Sequence, residues 1–502
     1  MSNNYRKWYL LIIIFAVVFT FFGGSLAYFR WTTSEEQETS IAITVAEDFR
    51  CDVDGGGNIT SNDVMLVPAS CGDNSGYVIM REINVMPTLN SNLNNVELDL
   101  WLDINSIGSG LSNSQNFMYS LSRYGCEEEV VDYGSFNNKT NGGKINLLSD
   151  KIYSQTTTDT YYLYIWLDKD ETSQATMDQL FDLSLNGNCT AVPRGDPFYA
   201  VYSSDDTSFR FYKENEGVIN EGSLYNNLIA TKVYKMYEND GAFQYDVSEF
   251  AYVHPWEDIR DDVTKIIIED EISPKSIAGW FENFINVSYI DVTKLNTSNV
   301  VDMRFVFYNT GSGDDISNFQ IIGLNNWNTA KVKNMDYMFS FSGTNATMFD
   351  IGDLSNWDVL NVKNMNGMFS AAGTSATMFD IGDLSSWDVS NVISMLYMYS
   401  ESGCNSTTWS IGDLSNWDVS NVRNMSGMFL GAGFYSTTFD IGDLDNWDVS
   451  NVVDMYSMFY QAGENASNWS LDLSGWDVSN VSSYSSFNFG VTDKVIPPVW
   501  VN

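Results

Sequence analysis

The sequence predicts a mainly β protein: a β-sandwich, a small α/β capping module and a stacked β-solenoid, in that order. Three observations predict it. A unit of thirty residues recurs, marked by Trp327, Trp357, Trp387, Trp417, Trp447 and Trp476, with Leu295 in the tryptophan place of an earlier copy. The first third alternates apolar and polar residues with period two, the pattern of strands that bury one face. No stretch of that third carries a sustained helical period.

Residues 1–29 read as an export segment. Arg6 and Lys7 precede an apolar run from Trp8 to Phe22, and Ser25-Leu26-Ala27 supplies small residues where a signal peptidase cuts. Cleavage after Ala27 gives a secreted chain. Retention of Trp8 to Phe29, long enough to span a bilayer, gives an N-terminally anchored one, with the membrane touched only through that segment. Both outcomes place the rest outside the cell.

Residues 30–193 are the expected β-sandwich of jelly-roll size. Ile41–Val45, Val96–Leu102 and Tyr161–Leu167 have the alternating pattern. Cys51, Cys71, Cys126 and Cys189 fit an oxidising compartment, and the pairing Cys51 with Cys71 and Cys126 with Cys189 closes a short glycine-rich loop first. Cys404 is left over as an idle thiol. The loop Asp52–Asp63 has the outline of a calcium-binding loop, with Asp52, Asp54, Asn58 and Asp63 as the ligand candidates and a plain glycine-rich turn as the alternative. No other cofactor is expected.

Residues 194–294 form the capping module that a stacked array needs to cover its first apolar rung. Phe198–Tyr212 reads as a hairpin turning at Ser203–Thr207, Val263–Glu269 as a strand, and Ile277–Phe281 as a helical turn leading into the repeats. Residues 295–490 then hold seven copies. Around Trp357 the apolar order is Phe349, Ile351, Leu354, Trp357, Val362, Met365, Met368 and Phe369, and the same offsets serve the next copy. Each copy should give a short strand near Phe349–Leu354 and a tight coil or single helical turn near Asn364–Phe369. The last spacing is one residue short because Leu471-Asp472-Leu473 lacks a glycine that earlier copies carry, so Gly352, Gly382, Gly412 and Gly442 read as bulges. Residues 491–502 are a C-terminal tail.

Charge and composition narrow the function. The chain has 25 Lys plus Arg against 65 Asp plus Glu, a net charge of −40, which repels nucleic acid. One histidine, His254, leaves little material for histidine-based catalysis, and repeated aspartate rows single out no catalytic pair, so an enzyme is not expected. Asp353, Asp383, Asp413 and Asp443, and the row Asp358, Asp388, Asp418, Asp448 and Asp477, read first as turn residues, then as an acidic face or a calcium ladder. The paired methionines such as Met365/Met368 read as packing. Flanking Leu and Val make the tryptophans a buried structural ladder rather than a platform for sugars.

Two resemblances add to this. The phrase Leu471 to Val481, with Asn364 to Phe369, resembles the repeats of BspA-like bacterial surface proteins, a branch of the leucine-rich-repeat solenoids; the present unit is longer through insertions such as Thr374–Phe379. The N-terminal third, from Ser25–Phe29 into an early strand and Trp166-Leu167-Asp168, resembles the TasA/camelysin type of secreted matrix protein. The first implies display at the bacterial surface, as an adhesin or protein-binding scaffold for an extracellular protein or matrix ligand, or for a host or neighbouring cell surface. The alternative is a matrix or fibre subunit assembled through the sandwich.

Overall fold

The computed structural model describes residues 41–45, 49–54, 57–60, 69, 71, 78–89, 94–123, 130–153, 159–169, 171–177, 179–214, 217–241, 243, 245–246 and 251–500. The export segment, Asp63 and Cys126 lie outside them. The chain is mainly β.

The first module is two sheets over one core. Strands β1 (Ile41–Val45), β2 (Phe49–Asp54), β3 (Gly57–Thr60), β4 (Ile79–Leu89), β5 (Asn94–Ile107), β6 (Phe117–Ser122), β7 (Val130–Ser135), β8 (Gly143–Tyr153), β9 (Asp159–Leu167) and β10 (Phe181–Pro193) make a six-stranded sheet, β1-β2-β4-β9-β6-β7, and a four-stranded sheet, β3-β10-β5-β8. The alternation in β5 places Val96, Leu98, Leu100, Leu102 and Ile104 in the shared core, where Leu163, Ile165 and Leu167 of β9 meet them. β9 is buried on its other face as well. There Tyr164 and Trp166 pack with Met118 and Tyr133.

The second module grows directly into the repeats. β11 (Pro197–Ser203) and β12 (Ser208–Lys213) form the hairpin, two short hairpins follow as β13 (Leu224–Tyr225) with β14 (Leu228–Ile229) and β16 (Tyr245–Asp246) with β17 (Ala251–Tyr252), and β15 (Lys232–Tyr237) pairs with β11. β12 then pairs in parallel with β18 (Lys265–Ile268), and the sheet continues through β19 (Tyr289–Asp291), β20 (Asn318–Ile322) and β21 (Met348–Asp350). One seven-stranded sheet therefore runs from the hairpin into the coils, and one apolar core extends from Phe198 to Val495. The first rung is covered because the hairpin sheet continues it.

Later coils keep the strand column as β22 (Thr408–Ser410) with β23 (Thr438–Asp440), and β24 (Leu471–Asp472) with β25 (Val495–Ile496), all in parallel. The segment expected as a tail thus carries a strand. Trp500 stacks on Tyr484 at 4.3 Å and closes the end of the core.

A second column of parallel bridges runs Ser276, Asp302, Asn334, Asn364, Ser394, Asn424, Asp454 and Ser483. Its first member belongs to a coil that precedes Leu295. Ile277–Phe281 is therefore no helical turn: Gly279 and Phe281 donate their N–H groups to Arg304 and Val306 of the next coil. The segment Asn364–Phe369 is not helical either. Met365, Gly367, Phe369 and Ala371 donate to Ser394, Leu396, Met398 and Ser400 of the next coil, while Met368, Ser370 and Ala372 close turns within their own. A helix would direct every N–H four residues back along its own chain. Sending alternate N–H groups outward needs left-handed residues, and Gly367 (φ 55°) and Ala371 (φ 53°) supply them.

Candidate binding cleft

The aromatic columns use their apolar surface internally. The six tryptophans are 3–5% exposed, and successive rings lie 6.1, 6.4, 6.5, 6.4 and 6.3 Å apart. Trp357, Trp387, Trp417, Trp447 and Trp476 each donate the indole N–H to a leucine carbonyl of the preceding coil, at 2.9–3.1 Å. Trp327 is buried with no acceptor for that group among the described residues. A second column, Phe339, Phe369, Tyr399, Phe429 and Phe459, stacks at 5.4–5.7 Å. Met365 and Met368, like Met395 and Met398, are fully buried beside it.

The aspartate rows face solvent but are committed to the backbone. Asp353, Asp383 and Asp413 accept the N–H of Ser355, Ser385 and Ser415 at 2.9–3.0 Å. Asp358, Asp388, Asp418, Asp448 and Asp477 each accept the N–H two residues on, all at 3.1 Å. For Asp388 and Asp477, hydrogen bonds from the following serines, Ser390 and Ser479, hold the carboxyl below its usual range.

Of the four calcium candidates, Asp63 lies outside the described residues and the other three are divided between two elements. Asp52 and Asp54 belong to β2 of the six-stranded sheet, whereas Asn58 belongs to β3 of the other sheet and accepts from Ser184 Oγ at 2.8 Å. Among the described residues no group of three or more His, Cys, Asp or Glu side chains is placed to hold a metal ion. Cys71 and Cys189 are in disulfides, and Cys404 is a free thiol whose pKa burial pushes up. The pairing turns on the Cys51 side chain and on Cys126, outside the described residues.

Sequence reading did not locate where the two-sheet module meets the coils. Lys275 Nζ lies 3.0 Å from Glu97, Lys333 Nζ donates to Ser149 Oγ at 2.8 Å, and Asn364 Nδ2 donates to the Val130 carbonyl at 2.5 Å. Arg423 reaches both Asp168, at 4.0 Å, and the Tyr133 ring, 5.4 Å from its centroid. Asp132 of β7 sits in this contact. Burial lifts its carboxyl to about 6, and Lys363 and Lys333 restrain the rise.

Beyond the contact the two modules diverge into a polar cleft of about 570 Å³. Its coil wall carries Asn391, Asn421 and Asn451 with Ser420 and Ser450; the opposite wall carries Gln115, Asn116 and Asn137. The coil asparagines are held in place. Each donates Nδ2 to the preceding coil, Asn391 to Leu360, Asn421 to Ser390 and Asn451 to Ser420, at 2.7–2.9 Å. The signal for this row was the recurring Asn-Val after each Asp-Val phrase, which a search for aromatic and acidic sites passes over.

A different polar cluster is closed. Glu282, wholly buried in the first coil, accepts the Tyr252 N–H at 2.6 Å and lies 3.7 Å from both His254 and Arg260. Burial raises Glu282 to about 8 and lowers His254 to about 3, the latter aided by Arg260.

No helix among the described residues is long and apolar enough to cross a membrane. No curated protein and no solved structure matches the chain. The coil region does match a known family: residues 275–409 and 375–494 are similar to the family described as "Mycoplasma protein of unknown function, DUF285".

Proposed function

We propose that this is an extracellular binding protein of the bacterial surface, built as a β-sandwich docked on a BspA-like, leucine-rich-repeat-like solenoid. The observation that carries the reading is the division of labour in the coils. Their aromatic and apolar residues are consumed by stacking, which leaves long polar faces repeated at the coil spacing and a cleft against the first module. The family match over the coils, the export-type start and the acidic surface support display outside the cell. The partner is an extracellular matrix component or a neighbouring cell surface, and the pairing Cys51–Cys71 with Cys126–Cys189 belongs to this reading.

Beads carrying the full chain should adhere to cells or immobilised matrix more than beads carrying an unrelated acidic protein of similar charge. Equal retention would reject the binding reading. Concentration-dependent fibres without adhesion would favour the matrix-subunit alternative.

A further inference from the structure

The cleft between the two-sheet module and the coils has features that select a ligand class. Asn391, Asn421 and Asn451 commit their amide nitrogens to the stack, so each amide is fixed in orientation and offers its oxygen as an acceptor. These acceptors recur once per coil, and the coils advance by about 4.8 Å where their backbones pair and by 6.1–6.5 Å at the tryptophan column. An extended peptide presents like-facing groups every second residue, about 6.8 Å, longer than either step. A chain of sugar rings advances by one ring per repeat, close to one coil, and carries hydroxyl donors on every ring.

Charge narrows the class further. The cations lining the cleft have carboxylate company: Arg423 meets Asp168, Lys363 lies in the field of Asp132, and Lys169 is matched in number by Asp448. With a net charge of −40 on the whole chain, a polyanion would be repelled on approach. The opposing wall adds more side-chain amides, Gln115, Asn116 and Asn137, which donate as well as accept. Pockets form preferentially where modules meet, and this one is polar along both walls.

We propose that the cleft binds a neutral oligosaccharide, laid along the Asn391, Asn421 and Asn451 row. This names a ligand class for the surface-binding reading and rests on it.

Two features of the repeat supply controls. Asn361 donates to the Ala330 carbonyl at 2.7 Å, the same stack bond as the row, but does not line the cleft. Leu360 occupies the position that Ser420 and Ser450 hold in later coils, so the coil accepts leucine there. The full chain is titrated calorimetrically with neutral hexasaccharides of glucose and of N-acetylglucosamine, with hexagalacturonate, and with a six-residue extended peptide.

A neutral hexasaccharide should bind, and N421A/N451A should weaken it about tenfold, the effect of losing roughly one hydrogen bond per residue. N361A should bind as the parent does while sharing the fall in melting temperature. S420L/S450L, which keeps every stack bond, should abolish binding by filling the cleft. The inference is overturned if no neutral hexasaccharide binds at millimolar concentration, if S420L/S450L binds normally, or if the peptide or hexagalacturonate binds in preference. Bead adhesion retained by S420L/S450L would remove the cleft inference and leave the surface-binding reading standing.

Discussion

The indole column shows what a single residue contributes. Each ring buries a large apolar area, stacks on two neighbours and, from Trp357 onward, closes a hydrogen bond to the coil before it. Truncating Trp417 to alanine should therefore cost roughly 3–5 kcal/mol, although the Leu384 carbonyl keeps the Trp387 N–H as a donor. Phenylalanine separates the two effects. Trp387→Phe loses the bond to the Leu354 carbonyl and should destabilise by about 1 kcal/mol beyond its packing change. Trp327→Phe removes an indole N–H that has no acceptor among the described residues, so urea denaturation should find it the milder of the two. Equal losses would mean that the indole bonds contribute nothing net. A second contrast lies in the outward turns, where Gly367 sits under the Tyr337 ring and a Cβ there would meet the ring at 2.5 Å. Gly367→Val should be severely destabilising on both steric and conformational grounds. Ala371→Gly, at a left-handed position (φ 53°), should be neutral or stabilising by up to about 1 kcal/mol in the same measurement.

At the scale of elements, the buried Glu282 and His254 give the first coil a pH signature of its own. Glu282 keeps its proton to about 8 when folded, well above an exposed glutamate, so its contribution is fully present below pH 4.5 and is lost as pH rises through 8. His254 stays neutral to about 3, so its contribution is present above pH 6.5 and is lost as pH falls through 3. Stability from this pair should rise from pH 3 to 4.5, stay level to 6.5 and decline towards 8. Glu282→Gln should flatten the decline between pH 6.5 and 8 in melting temperatures, and an unchanged decline would show that another group sets it. Such coils were legible in the sequence where an apolar position repeats in register, because burial of one face demands it. Trp327 to Trp476 announced six of them, and Leu295 a seventh. The coil at Ser276 was hidden because it lies 26 residues before Asp302 and has Ile272 rather than tryptophan bridged to Leu295 at the ladder place, although Ile277, Trp280 and Phe281 repeat the order of Met303, Val306 and Phe307. The outward turns were hidden for another reason: Tyr337, Phe341, Ala371 and Glu401 hold positive φ without being glycine, and only inter-coil hydrogen bonds make that conformation affordable.

At the scale of the whole chain, the placement of the few cations explains how an acidic array holds a second module. Between residues 295 and 490 the only Lys and Arg residues are Arg304, Lys331, Lys333, Lys363 and Arg423. Four of them face the two-sheet module: Lys333 beside Ser149, Lys363 beside Asp132, Arg423 beside Asp168, and Arg304, which is paired with Asp302 of its own coil and lies near the like-charged Lys151. Period and hydropathy could not reveal this, since both describe the inside of the stack; the one-sided distribution of positive charge could have. Removing two of these charges tests whether they hold the modules together. Asp132, with a folded value of about 6, contributes fully below pH 3.8 and loses that contribution as pH rises through 6, when its carboxylate forms in a half-buried site. Lys333→Met with Lys363→Met removes the two positive charges that stabilise that carboxylate and leaves it only the hydrogen bonds of Tyr119 and the Tyr133 backbone. The double variant should match the parent near pH 4 and fall behind it by about 1–3 kcal/mol at pH 8. It should also give a larger radius of gyration by X-ray scattering at pH 8 than at pH 4, together with faster proteolysis between the modules around Pro193–Pro197. A variant that stays as compact as the parent across this range would assign the docking to apolar packing and to the Asn364–Val130 bond alone.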